Sequence, residues 1–163
     1  MSDIALLAQG GLPSNLTSLM TTGQVKMKIE PNTKLPQWVM KVYGSGVVTV
    51  GVPYMIWWSA YIPTTAAAAT GYAPYIGIAT ETTTAAAWTW VIVAGMSYST
   101  VSTGAIPVGS GVEVLNAGVA VSDDAANGPQ IVDETIGHAQ AAASGDIVPV
   151  WMYGRSFVKI ESA

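Results

Sequence analysis

Apolar and polar positions alternate along this chain in short runs, and no window holds a 3.6-residue period long enough for a major helix. Val25-Lys26-Met27-Lys28-Ile29 is the cleanest case, with the period of two that marks a half-buried strand. Glu30-Pro31-Asn32 follows as a turn. Further strands are predicted over residues 38–43, 47–52, 54–61, 75–80, 89–93, 112–115, 118–121, 135–139, 147–153 and 157–160. The aromatic run at 54–61 lacks alternation and reads as a strand buried on both faces. Residues 64–72 read as a loop of small side chains, because the alanine run at 66–69 is too short for a stable helix. Asn116-Ala117 reads as a tight turn between two strands, and residues 123–128 as a polar loop. The first 23 residues show little periodicity. A cap at Ser14 or Asn15 would open a short helical turn through Met20, and otherwise this segment is an extended arm. The class is all-β, divided into an N-terminal arm (1–23) and a β-domain (24–163).

The β-domain carries an internal repeat. Ile76-Gly77-Ile78-Ala79 precedes a Thr/Ala run and then Trp90-Val91-Ile92-Val93-Ala94-Gly95. Sixty residues on, Ile136-Gly137-His138-Ala139 precedes another small-residue run and then Pro149-Val150-Trp151-Met152-Tyr153-Gly154. Upstream of each lies a Val-Gly turn, Val50-Gly51 and Val108-Gly109, at an offset of 58. Chance similarity between Ala/Gly/Val-rich segments is the alternative, but both order and spacing recur. The repeat predicts two related β-units, at about 47–95 and 101–154, packed as a compact β-sandwich or closed as a small β-barrel. The Gly inside each Ile-Gly-x-Ala run admits a close neighbour there.

Composition adds a constraint from outside the fold. Half of the 163 residues are apolar and only 10% are charged, where roughly 25% is usual for a soluble domain. So little charged surface suggests that part of it is covered by a partner. The charges are also segregated. Residues 1–43 hold Lys26, Lys28, Lys34 and Lys41 against two carboxylates, whereas residues 44–154 hold seven carboxylates and neither Lys nor Arg. The basic segment can dock on an acidic surface, of a neighbouring copy or of another protein, or it can be an ordinary solvated segment. A net charge of −4 with six Lys and Arg excludes a general nucleic-acid binder.

The apolar stretch at 47–62 carries Thr49, Gly51, Pro53 and Ser59. It falls short of the roughly 18–20 continuous apolar residues of a spanning helix. The early Asp3, with no basic residue ahead of the first apolar run, does not read as a signal peptide.

Little here carries chemistry. There is no Cys, which excludes disulfides, thiolate metal sites and thiol nucleophiles. His138 is the single imidazole and takes the place of Ile78 in the repeat, a structural position. No Gly-x-Ser-x-Gly elbow accompanies it. Asp123-Asp124 and Asp133-Glu134 lack the spaced carboxylates of a calcium loop, and paired acids in polar loops are usually solvated. No catalytic residue, metal ligand or cofactor is nominated, and an enzyme is not expected. Six Trp and seven Tyr remain. Trp57, Trp58, Trp88 and Trp90 sit in apolar runs and read as core or subunit interface, or else as a sugar-binding face.

The stretch Gly104-Ala105-Ile106-Pro107-Val108-Gly109-Ser110-Gly111-Val112, with Val119-Ala120-Val121 and then Ile136-Gly137-His138-Ala139 through Ile147-Val148-Pro149-Val150, resembles the capsid decoration, or cement, proteins of tailed bacteriophages. The likeness covers residues 101–154 well and 47–95 loosely, and leaves the first 46 residues uncovered. The doubled unit and the aromatic load of the first copy depart from the family pattern.

The resemblance implies a structural virion protein, made in the host cytoplasm and bound outside the capsid. It would stabilise contacts between major capsid subunits as a homo-oligomer, with a trimer favoured. The expected partners are thus the major capsid protein and further copies of this chain, with neither nucleic acid nor membrane. Lys26, Lys28, Lys34, Lys41, Trp57, Trp58, Trp88 and Trp90 are the nominated contact residues. The alternative is a carbohydrate- or receptor-binding head-fibre or spike module. If the arm reaches across a neighbour, deleting residues 1–23 abolishes co-sedimentation with capsids while the far-ultraviolet dichroism of the β-domain is unchanged. Retained attachment would refute that role for the arm.

Overall fold

A computed structural model describes residues 24–59, 62–84, 87–116, 118–122, 134–154 and 156–160. The arm and the polar loop at 123–128 lie outside the described residues. All regular structure among the described residues is strand: β1 (Val25–Ile29), β2 (Pro36–Gly44), β3 (Pro53–Ser59), β4 (Ile62–Ala67), β5 (Gly71–Ala79), β6 (Ala87–Val101), β7 (Gly111–Leu115), β8 (Val119–Ser122), β9 (Gly137–Ala139), β10 (Ile147–Met152) and β11 (Ser156–Ile160).

Five of these strands close a barrel in the order β2-β6-β5-β3-β4, and the short parallel pairing of Tyr43 and Gly44 with Thr64 and Thr65 returns the sheet to β2. The remaining contacts in the ring are antiparallel. A ring this narrow leaves space for few side chains. Its interior holds Met40, Val42, Ile56 and Val91 as one buried cluster. β1 pairs with the first half of β2, and β11 pairs with β5.

The repeat is present as geometry. After Gly95, β6 leaves β2 and continues beside β10, so one 15-residue strand serves both units. The second unit runs β6-β10-β9-β7-β8, and a parallel bridge between Ser102 and Ala120 brings β8 back to the end of β6. The first unit has the same order with β2 in the role of β6. The pairs Tyr54↔Gly77 and Val112↔Gly137 occupy equivalent positions, as do Ala79↔Val91 and Ala139↔Val150. Loop hydrogen bonds recur at the same offsets. The Gly51 N–H donates to the Ala79 carbonyl at 2.8 Å, and the Gly109 N–H to the Ala139 carbonyl at 2.8 Å. The Thr83 N–H donates to Val48 at 2.8 Å, and the Ala143 N–H to Ile106 at 2.9 Å. Gly51 and Gly109 share φ values of 78° and 80°.

Three expectations are corrected. Residues 47–52 form no strand. They fold back over one end of the barrel, where Val48 is fully buried, as is its counterpart Ile106 in the second unit. Val48 therefore serves as a plug, whereas Val47 and Val50 are exposed. Of residues 64–72, read as a loop, 64–67 belong to β4 and 71–72 open β5. Ala and Thr are accepted in β4 because β3 supplies a full antiparallel partner, from Tyr54↔Ala67 to Ser59↔Ile62, and tertiary pairing overrides weak β-propensity. The run at 54–61 is buried only in part: Met55 and Ile56 are inside, whereas Trp57, Trp58 and Ser59 are exposed.

The main core lies where the units meet. Val39, Met55, Ile76, Ile78 and Ile92 of the first form one cluster with Val112, Val114, Val148, Val150 and Met152 of the second. Burying each such side chain contributes about 1.5–3 kcal/mol before entropy is counted.

The two repeat glycines differ in what blocks a side chain. A Cβ on Gly77 would lie 2.5 Å from Ile56 Cδ1 and 2.7 Å from Val91 Cγ2, inside the barrel. On Gly137 it would lie 2.1 Å from the Trp151 carbonyl oxygen. Side chains can give way, but a paired strand backbone cannot. Gly77→Ala is therefore expected to cost about 1–3 kcal/mol, and Gly137→Ala more, because β9 must part from β10. Urea unfolding of the two variants checks this order, and equal costs would contradict it.

Candidate functional site

Strand alternation gathers most of the nominated residues on one outer face of the first barrel. Lys26 and Lys28 stand opposite Val39 and Gln37. Lys41 stands opposite Trp90, and Tyr43 opposite Trp88. Side chains two apart in a strand share a face, so Lys26, Lys28, Lys41, Tyr43, Trp88 and Trp90 all project outward while Met40, Val42 and Val91 project inward. The row continues round the barrel, since Tyr43 pairs with Thr64, and Thr64 with Trp57.

The contacts within this face are specific. The Lys26 ammonium lies 3.8 Å from the centroid of the Trp90 ring and that of Lys28 lies 5.5 Å from it. Lys41 is 5.8 Å from the Trp88 ring. Tyr43 meets Trp88 edge-on at 5.2 Å. Each cation–π contact at an exposed site contributes about 0.5–1 kcal/mol. Burial, and then the positive charges of Lys28 and Lys41, hold the Lys26 ammonium below its ordinary pKa. Among the described residues no carboxylate lies within ion-pairing distance of Lys26, Lys28 or Lys41. The ion pair of Lys159 with Glu134 lies elsewhere.

The remaining nominated residues are placed differently. Lys34 sits in the β1–β2 turn at a φ of 61°, exposed and apart from the other three lysines. Trp57 and Trp58 are 49% and 46% exposed on β3, on opposite sides of the strand. Trp58 meets Tyr75 edge-on at 5.8 Å. Tyr75 in turn lines an apolar groove of about 290 Å³ with Val25, Trp38, Met40 and Val93.

Tyr43 and Tyr75 were not nominated from the sequence. The spacing Lys41-x-Tyr43, matching Lys26-x-Lys28 and Trp88-x-Trp90, is the signal that places Tyr43 on the face. Nothing local marks Tyr75. His138 takes the Ile78 position, opposite Trp151, with Nδ1 3.0 Å from the Tyr153 hydroxyl. Asp123, Asp124 and Asp133 lie outside the described residues.

No family model matches the chain, and no curated protein matches it. Among solved structures it is similar to the head fiber gp8.5 N base in bacteriophage phi29, with a TM-score of 0.53 and 16% identity. The match covers 72% of this chain and 95% of that one. At this identity the likeness is one of fold.

The turn that holds β1 in place depends on Glu30. Its buried carboxylate accepts hydrogen bonds from Asn32 Nδ2 at 2.9 Å, from Thr33 Oγ1 at 2.8 Å and from the Thr33 N–H. Burial pushes its pKa up, but these bonds together outweigh burial and hold it below the ordinary carboxylate value. A depressed pKa contributes stability that is present above the unfolded value, near 4.3 for Glu, and is lost as pH falls through the folded one. Glu30→Gln is therefore expected to cost about 1 kcal/mol at pH 7, with the difference from the parent protein shrinking below about pH 4. Urea unfolding across this range checks both the sign and the window.

Proposed function

We propose that this chain is a structural protein of a phage head, bound to the outside of the capsid and acting by binding alone. The observation that carries the reading is the fold likeness to a phage head-fibre base over 95% of that chain. The likeness of residues 104–150 to capsid decoration proteins points to the same particle. The exposed aromatic row from Trp57 to Trp88 fits a protein that functions in contact with others, since buried aromatic anchors dominate protein interfaces. In the decoration form of this reading the chain stabilises contacts between major capsid subunits, and homo-oligomers, trimers by the resemblance, seat on the lattice.

A second form is favoured by the identity of the neighbour. The chain would then be the base of a head fibre, attached to the capsid and carrying a more distal receptor- or carbohydrate-binding part. At Trp90 a sugar-stacking role is disfavoured, because Lys26 covers that ring. Trp57, half-exposed, is the better platform.

Copy number separates the two forms. The protein is quantified in purified particles of its source, by mass spectrometry against the major capsid subunit. A count near one per capsid subunit, or a fixed simple fraction of it, supports decoration. A count far below any such lattice fraction supports the fibre base. Absence from particles overturns both.

A further inference from the structure

We infer that the outer face formed by Lys26, Lys28 and Lys41 on Trp88 and Trp90 is a preformed dock for the acidic surface of a second copy of this chain. The inference deepens the assembly part of the virion reading and rests on it only there.

Three observations carry it. First, half of the six basic residues are gathered on one patch, where burial and then the charges of Lys28 and Lys41 lower the Lys26 pKa, and no carboxylate among the described residues lies within ion-pairing distance to offset the repulsion. Clustered like charges destabilise a chain on its own and are relieved by an opposing surface.

Second, the repeat supplies an internal control. The register that equates Val91 with Val150 puts Ile147 and Pro149 of the second unit where the first has Trp88 and Trp90. The second unit forms the same strand order without them, so the fold does not require aromatic rings at these positions. The rings position the ammoniums. Lys26 rests over Trp90 at 3.8 Å, which limits its rotamers before any partner arrives.

Third, the complementary surface is in the chain itself. Residues 44–154 carry seven carboxylates and no basic side chain. Of these, Glu81 and Asp146 are exposed among the described residues. A second copy therefore offers exposed carboxylates, Glu81 and Asp146, to these lysines. The lack of charge elsewhere leaves apolar surface that the contact would cover, with Trp57 and Trp88 at 49% and 40% exposure.

The test is sedimentation velocity on the purified full-length protein at about 0.05 M and about 0.5 M NaCl. The expected result is self-association at low salt, weakened at least about tenfold at high salt. Lys26→Gln/Lys28→Gln/Lys41→Gln together should give a monomer at both, with unchanged circular dichroism. Lys28→Gln alone, which gives up a charge but keeps the closest ring contact, should weaken association in part. Lys34→Gln removes the one lysine of the segment that stands apart, and should leave association unchanged.

A parent protein that is monomeric at low salt, or a triple variant that associates like the parent, overturns the inference. Monomers that bind heparin through these lysines also overturn it, in favour of a polyanion as the occupant. None of these results depends on a capsid, so failure here and failure of the virion reading are distinguishable.

Discussion

One strand with two sets of partners is the constraint on which the rest of the structure depends. Over its first half β6 closes a ring with β2 and β5, and over its second half it opens another with β10. The two units cannot separate without breaking a continuous strand, and the outer face of the first packs on the inward-facing side chains of the second. That packing is the main core, with Val39, Ile78 and Ile92 set against the second unit. The handover occurs at Gly95, whose φ is 81° and where a Cβ would lie 2.4 Å from the Pro36 carbonyl oxygen. Only glycine fits such an approach without cost, and Gly154, two residues past β10, holds the matching place in the second unit with a φ of 70°.

The interior of the first ring explains the composition of its strands. A five-stranded closure accepts medium and small side chains only, so Gly77, Thr65 and Thr89 occupy inward positions that an open sandwich would give to Leu or Ile. What the barrel cannot hold is displaced outward. The large aromatic rings of the first unit therefore lie on its outer face or at its ends, where they are available for contact. The narrow barrel and the exposed tryptophans are in this sense one feature.

The sequence made this partly legible. The offsets of 58 and 60 residues between the Val-Gly turns and the Ile-Gly-x-Ala runs are the offsets of the strand register, because equivalent turns must return to equivalent partners. The alternating β1 and the pair around residue 116 were legible as strands, but their faces were not: Met27 and Ile29 are exposed, and β7 is buried on both sides from Gly111 to Val114. The plug at Val48 was not legible, since Val48 and Val52 have the spacing of a strand, yet Val48 makes only an isolated bridge to Thr83 and no ladder. β4 was hidden because Thr and Ala carry no hydrophobic period, and its existence depends on β3. The nominated lysines and tryptophans could be named one by one. That Lys26, Lys41 and Trp90 meet follows from a β1–β2–β6 register that no local pattern contains.

In the proposed assembly weak contacts would suffice. A single exposed ion pair contributes little, because solvent and side-chain entropy offset most of the attraction. Three ammoniums held on rigid strands differ in degree, since their side chains are partly ordered beforehand by the rings beneath them. On a repeating surface each copy is also held by its neighbours, and linked sites multiply without any one becoming strong. In the proposed assembly a chain with few charges would concentrate them on one patch, and that patch would set which way the copies face.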